Sequence, residues 1–404
     1  MNEQPNHVEC NFCGKSRGEV DKLIVANDAG ICNECIEFCA DLLSRERVKN
    51  IQSDKKISKA LDPHKIRKFL DEYVIGQDDA KTALSVAVVN HYKRIYFQPT
   101  IELEKSNLLI YGATGSGKTL LAKTVARYLN VPFVIADATT LTQAGYVGDD
   151  VESVIGRLLG AADNDVELCQ KGIVFIDEID KIGRKSESAS IHRDVGGEGV
   201  QQALLKLVEG TKCTVSVNTT KKHPALDTVE VDTSNILFIA GGTFDGLEKI
   251  VGERTNKTGI GFMANQSSET VDMRETLPED FIKFGMIPEF VGRFPIAVGI
   301  ETLSLEDLTR ILIEPKNSLI QQMAWYFSTD DIELEFDDSA IISIAQTAID
   351  QDIGARGLKS IIEKALMKTM YSINDLKRKG ISKIRITEDV ITHNKEPEYI
   401  NHER

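Results

Sequence analysis

The chain has 404 residues, 42% of them hydrophobic and 27% charged, with a formal net charge of −14. That length suggests two or three domains with ample material for packed cores, and the acidic balance argues against a protein whose main task is coating nucleic acid. No apolar run approaches the roughly 20 residues needed to cross a bilayer, and Met1-Asn2-Glu3-Gln4-Pro5 resembles neither a signal nor a transit peptide, so a cytoplasmic chain is expected.

Reduced thiols are expected in that compartment, so the seven cysteines are read as metal ligands or core residues. Cys10-Asn11-Phe12-Cys13 and Cys32-Asn33-Glu34-Cys35 form two C-x-x-C knuckles 18 residues apart. This spacing predicts a structural zinc site of four thiolates, Cys10, Cys13, Cys32 and Cys35, with no open position for catalysis. Residues 1–50 are too few to build a core by burial alone, so metal binding is expected to supply their folding energy. Cys39, on a helical stretch after Cys35, reads as a buried small hydrophobe. Residues 1–50 carry six Lys/Arg against nine Asp/Glu, the wrong sign for a nucleic-acid module. Protein docking fits better, with Phe12, Ile24, Val25, Ile31 and Phe38 shared between core and interface. Residues 51–61 are polar, without sustained period, and read as a flexible linker.

Asp62-Pro63 starts a helix, and Leu70 to Gln77 leads into another from about Asp78. Ile75, in that connection, is counted among the nucleotide-binding residues. The apolar run Leu108-Leu109-Ile110-Tyr111 then feeds Gly112-Ala113-Thr114-Gly115-Ser116-Gly117-Lys118-Thr119, which fits G-x-x-x-x-G-K-[ST] between a strand and a helix over 120–129. Its glycines let backbone N–H groups curl around an anion at a helix N-terminus. Lys118 would reach the β- and γ-phosphates, and the Thr119 hydroxyl would ligate Mg²⁺. Further apolar strands are expected at Val131–Asp137, Gly172–Ile176 and Ile236–Ala240, implying a parallel sheet buried on both faces. The third predicted strand ends in Asp177-Glu178. Asp177 is placed to hold the Mg²⁺ water shell and Glu178 to polarise the attacking water, with an extra strand between the two motifs. This pattern predicts ATP hydrolysis rather than passive binding.

The ordered set resembles the AAA+ ATPases and, more narrowly, the ClpX family of unfoldases, over nearly the whole chain from the zinc module to Gly354-Ala355-Arg356-Gly357-Leu358. The resemblance implies an α/β AAA+ large domain over 62–300 and a mainly helical small domain over 301–404, behind a zinc-binding domain over 1–50. It implies a homohexameric ring that pulls unfolded or tagged proteins through a pore into the peptidase ClpP, with adaptors possible at the zinc module. No nucleic-acid or membrane partner is expected. Gly145-Tyr146-Val147-Gly148 resembles a pore loop, Tyr146 and Val147 forming a mobile apolar paddle between glycines. Arg193, in Arg193-Asp194-Val195-Gly196-Gly197, resembles part of a second pore loop. Lys221-Lys222-His223-Pro224 stands where the family usually has Arg-Lys-His, so Lys222 and His223 are assigned to the pore entrance. In the long polar segment from about Gly252 to Thr276, Ile260-Gly261-Phe262 resembles the loop that docks on ClpP. The resemblance makes Arg293 an arginine finger for the neighbouring subunit and Arg356 the sensor that reaches nucleotide from the small domain.

In that last domain, Ser304-Leu305-Glu306-Asp307 predicts a capped helix, followed by a strand at 332–336, helices at 339–349 and 357–370, and a strand near 384–387. The tail from Asn394 reads as disordered. No nucleophile–His constellation stands out, so proteolysis is assigned to a partner. Two other readings remain open: a AAA+ nucleic-acid motor or loader using the zinc module on DNA, and a protein remodeller that works without a protease.

Overall fold

The computed structural model describes residues 9–26, 29–40, 61–97, 101–142, 149–184, 197–216, 228–256 and 272–401. It divides into two units, Met1–Asp62 and Pro63–Arg404. In the first, β1 (Leu23–Ala26) and β2 (Ala29–Cys32) form an antiparallel hairpin, and helical backbone follows over 33–40. Its interior is little more than Cys10, Cys32 and Cys35, with Val20, Leu23 and Ile31 against them. Cys39 is half-buried rather than enclosed, because the helix that carries it has no second apolar layer among the described residues.

The second unit opens with α1 (Pro63–Asp71) and α2 (Asp78–Tyr96). Next come β3 (Leu108–Gly112), α3 (Lys118–Leu129), β4 (Phe133–Asp137), α4 (Ser153–Ala161) and β5 (Ile173–Asp177). Then α5 (Glu198–Glu209), an antiparallel hairpin of β6 (Lys212–Ser216) and β7 (Thr228–Asp232), and β8 (Leu237–Gly242) follow. The large domain closes with α6 (Leu247–Asn256), α7 (Pro278–Phe284), α8 (Pro288–Gly292) and β9 (Ile296–Ile300). A five-stranded parallel sheet runs in the order β9-β3-β8-β5-β4. Every residue of β8, and all but the last of β3 and β5, is buried, as continuous apolar strands between two helical layers require. The order places β8 between the phosphate-loop strand β3 and the acid-bearing strand β5, so all three end side by side at one edge.

A second core spans Leu308 to Val390. It packs α9 (Leu305–Ile313), α10 (Leu319–Ser328), α11 (Asp338–Asp350) and α12 (Gly354–Tyr371) on a three-stranded sheet. That sheet is β10 (Glu333–Phe336), β11 (Ile381–Ile386) and β12 (Glu398–Asn401). The expected cap is present: Ser304 Oγ accepts from Asp307 N–H, and Asp307 Oδ2 accepts from Ser304 N–H at 3.0 Å. A reciprocal pair joins the two cores, Gln77 Nε2 donating to the Glu301 carbonyl at 2.8 Å and Glu301 N–H donating to Gln77 Oε1 at 2.9 Å.

Three expectations change. The tail is not disordered through 394–401, because Glu398–Asn401 pairs antiparallel with Ile381–Arg385 as an edge strand. The long polar segment is shorter than its composition suggested, since α6 runs to Asn256 and a helical turn resumes at Met273–Glu275. The helix that carries Arg356 begins at Gly354, a turn before the predicted start. Among the described residues no helix is long and apolar enough to cross a membrane. Removing residues 394–404 strips β12 from β11, and the small domain's melting temperature should fall by about 4 °C or more, measured by calorimetry; an unchanged transition would show that the edge strand adds no stability.

Candidate functional site

Gly112 ends β3 with φ +138°, and a Cβ there would lie 2.5 Å from the Ile300 carbonyl oxygen, so only glycine lets the chain turn away from the sheet. The loop then turns back into α3. Lys118 Nζ donates to the Gly112 and Ala113 carbonyls at 2.7 and 2.9 Å, and Ser116 Oγ donates to Ala113 O at 2.6 Å. Burial pulls the Lys118 pKa down and nearby Arg356 adds to this, while Asp177 and Asp180 oppose it. A cation held in this position gains from an incoming polyanion, which restores the charge balance that burial disfavours.

Thr119 Oγ1 donates to Asp177 Oδ2 at 3.2 Å, bringing the expected Mg²⁺ ligand and the strand-end carboxylate together. Asp177 Oδ1 accepts from Glu178 N–H at 3.0 Å. Glu178 takes a left-handed conformation, φ +56°, uncommon for a residue with a side chain. This turn leaves its carboxylate exposed beside the phosphate loop's partner acid rather than along the strand. Gly115 has φ +77°, and a Cβ on it would lie 3.3 Å from Ile353 O and 3.6 Å from Arg356 N, so the start of α12 rests on the phosphate loop. Arg356 therefore joins Lys118, Thr119, Asp177 and Glu178. Ile75 is buried in the bend between α1 and α2, next to Gly76 and Gln77 at the joint with the small domain.

Arg293 is elsewhere. Its carbonyl accepts from Asn107 Nδ2 at 3.0 Å, just ahead of β3, and its guanidinium pairs with Glu209 at 2.8 Å. Strand β9 runs parallel to β3 with Ile296 beside Leu108 and Ile300 beside Gly112. A five-residue strand spans about 13 Å, so Arg293 and its own phosphate loop stand at opposite edges of the sheet. Tyr146, Val147, Arg193, Lys222, His223, Ile260, Gly261 and Phe262 lie outside the described residues. The flanking elements are described: Tyr146 and Val147 fall between the paired segments Leu141–Thr142 and Asp149–Asp150, and Lys222 and His223 between β6 and β7.

Sequence reasoning gave no role to Asp180 and Thr243. Asp180 is buried and accepts from Thr243 N–H at 3.1 Å and from Thr243 Oγ1 at 3.0 Å, linking the ends of β5 and β8. Lys181 completes the pair at 3.2 Å. Thr243 directly follows the apolar strand β8, which was the available signal for it, whereas Asp180 lies in the helical turn Ile179–Ile182 beyond β5.

In the N-terminal module the four predicted sulfurs lie within 4.8 Å of one another, and Cys13 Sγ is 3.7 Å from Cys32 Sγ. A tetrahedron of Zn–S bonds of about 2.3 Å has an edge of about 3.8 Å. Burial opposes ionisation of Cys10, but N–H groups of Cys32, Cys13 and Phe12 aimed at its sulfur outweigh it and pull its pKa down. Burial and the neighbouring sulfurs push the Cys35 thiol up. The donor set fits a zinc ion and leaves it no open position.

Three family models match: an AAA domain of the Cdc48 subfamily over 103–297, the ClpX C4-type zinc finger over 8–45, and the C-terminal D2-small domain of ClpB over 303–379. The ATP-dependent Clp protease ATP-binding subunit ClpX of Treponema denticola is 49% identical over 378 residues, 91% of this chain and 90% of that relative. The chain belongs to the ClpX family. It is an AAA+ ATPase using ATP and Mg²⁺, with structural zinc in its N-terminal module. Chelation should unfold the N-terminal module with release of one zinc per chain, leaving the melting transition of the second unit in place; a module that keeps its circular dichroism without metal would contradict the folding role of zinc.

Proposed function

We propose that the chain is the ATP-driven unfoldase subunit of a two-component protease, a homohexamer that pulls unfolded or tagged proteins through its pore into a ClpP peptidase in the cytoplasm. The separation of Arg293 from its own phosphate loop supports this reading best. A guanidinium a strand length away cannot serve its own subunit, whereas it can serve a neighbour's nucleotide in a ring. Lys118 and the loop N–H groups hold the phosphates, Thr119 and Asp177 hold Mg²⁺, and Glu178 takes the proton of the attacking water. Arg356 reads the nucleotide from the small domain, and a neighbour's Arg293 stabilises the charge on the transferring phosphoryl group. The metal supplies charge neutralisation at the phosphates; positioning comes from the chain.

The work done by hydrolysis is assigned to Tyr146 and Val147 as the gripping paddle, with Arg193, Lys222 and His223 along the pore. Ile260, Gly261 and Phe262 serve as the peptidase anchor. These assignments rest on sequence motifs. Phe12 and Phe38 of the zinc module are 66% and 59% exposed, and Ile24 and Val25 are exposed as well. Such an apolar surface in an acidic module suits adaptor or substrate proteins better than DNA.

Glu178→Gln should retain ATP binding while kcat falls by about 100-fold or more, read by steady-state ATPase assay. Arg293→Ala should be comparably inactive alone. Mixing the two variants should restore part of the activity, because the Glu178→Gln subunit lends Arg293 to a neighbour with an intact Glu178. No restoration on mixing would place Arg293 outside the trans site. Deleting Ile260–Phe262 should abolish ATP-dependent proteolysis with ClpP while sparing ATPase; undiminished degradation would remove the docking assignment.

A further inference from the structure

Gln201 has no part in the chemistry above, yet its side-chain amide is wholly enclosed near the start of α5. Burying an amide is costly unless its polar groups find partners, and here both do. Nε2 donates to the Ile182 carbonyl at 2.8 Å, with the Gly285 carbonyl at 3.4 Å, and Oε1 accepts from Ile287 N–H at 2.8 Å. Ile182 ends the helical turn Ile179–Ile182, which starts directly after Glu178. That turn closes on Glu178, whose carbonyl accepts from Lys181 N–H at 3.0 Å. Ile287 directly precedes α8, whose last residue, Gly292, leads into Arg293. One amide thus spans the turn that follows Glu178 and the element that leads to Arg293.

The rest of α5 follows the same route. Eight residues beyond Gln201, about 12 Å along a helix axis, Glu209 pairs with the Arg293 guanidinium at 2.8 Å. Phe290 and Val291 of α8 lie in the same core as Leu204, Leu207 and Val208 of α5. The five residues of α8 make little more than one helical turn, too few to hold a helix unaided, so its place is set by what grips its ends. Gln201 grips the first end, and Asn107, through the Arg293 carbonyl, grips the last. The turn after Glu178 keeps other fastenings: Asp180 on Thr243, and Arg184 N–H on the Gly285 carbonyl at 2.9 Å. Gly285 has φ +125°, and a Cβ there would lie 2.5 Å from the Arg184 carbonyl oxygen, so this close approach requires glycine. Losing Gln201 therefore loosens α8 more than it loosens Glu178.

We propose that Gln201 is a positioning residue for ATP hydrolysis in the neighbouring subunit: it holds the start of α8 in register, so that Arg293 stands where the neighbour's phosphates can meet it. This rests on the role in trans given to Arg293 above. The amide touches no substrate and acts through Arg293. Ile287 is buried, so its N–H, once unpaired, is costly to leave in place. Helix α8 then shifts toward another acceptor, and its far end carries Arg293 with it. A misplacement on the order of 1 Å in a group that stabilises transferring charge lowers turnover steeply. Nucleotide binding, which uses each subunit's own phosphate loop, is spared.

The test places one substitution in either of two roles within mixed assemblies of the full-length chain. Glu178→Gln subunits can only lend Arg293, and Arg293→Ala subunits can only host hydrolysis, so their mixture is the reference. Gln201→Met, similar in volume but without strong hydrogen-bonding groups, is then added to one partner at a time. In the lending subunit it should lower the restored kcat by about tenfold or more. In the hosting subunit kcat should stay within about twofold of the reference, and KM for ATP should be unchanged in both arrangements. Where Gln201→Met fails to assemble, Gln201→Asn keeps the amide, shortens its reach by one methylene, and should give the same order. A residue needed only for folding would depress both arrangements alike, and equal loss overturns the proposal, as does no loss in the lending role. If the reference mixture shows no restored activity, the trans role of Arg293 falls and the positioning role with it. A restored reference with an unaffected lending subunit removes the positioning role alone.

Discussion

Backbone lies against backbone where Gly115 of the phosphate loop meets Ile353, Ala355 and Arg356, and the rest of the second unit is arranged around that contact. A side chain at Gly115 would occupy the space taken by the start of α12. Gly354, with φ +54°, lies correspondingly close to Thr114. The small domain is thus seated on the element that receives the phosphates, while Gln77 and Glu301 hold the opposite side of the joint. The small domain therefore has two attachments, one on the phosphate loop and one away from it.

The sheet imposes a second constraint. Parallel strands bring their C-terminal ends to one edge, where Gly112, Asp177 and Thr243 gather, and send the chain before β9 to the other. Arg293 is fixed at that far edge by Asn107, whose side chain also accepts from Phe238 N–H at 3.2 Å. Its pairing with Glu209 is half-exposed on both sides, and a pair so solvated contributes little. Parting Arg293 from Glu209 therefore costs little, whereas moving the Arg293 backbone would break the Asn107 anchor. The side chain is free at its tip and fixed at its base.

The phosphate loop, the strand-end acids and the four cysteines were legible because each is written in a few adjacent residues whose spacing sets the chemistry. The buried strands β3, β5 and β8 were legible for the same local reason. Strand β9 was not, since Ile296–Ile300 becomes a strand only by lying beside β3, and its sequence carries a glycine, Gly299, beside Tyr111. The edge strand β12 was taken for tail because Glu398-Tyr399-Ile400-Asn401 is polar and half-exposed, as edge strands tend to be. Asp180–Thr243 and Gln201–Ile287 join residues 63 and 86 positions apart. No local pattern announces such a pair. The pore and docking residues, from Tyr146 to Phe262, are supported by motif alone, since they lie outside the described residues.

The zinc module follows a different economy from the second unit. A module of this size without metal would have to bury its few large apolar residues to fold at all. Four thiolates on one ion remove that demand, since the metal supplies the closure that burial would otherwise provide. Phe12 sits inside the first knuckle and Phe38 on the helix after the second, and neither is drawn into the interior of Cys10, Cys32 and Cys35. Metal binding thereby leaves the aromatic side chains of Phe12 and Phe38 exposed. The acidic surroundings of that surface favour partners with basic or apolar faces and disfavour phosphate backbones. Exposure of the aromatics is thus a consequence of how the module folds.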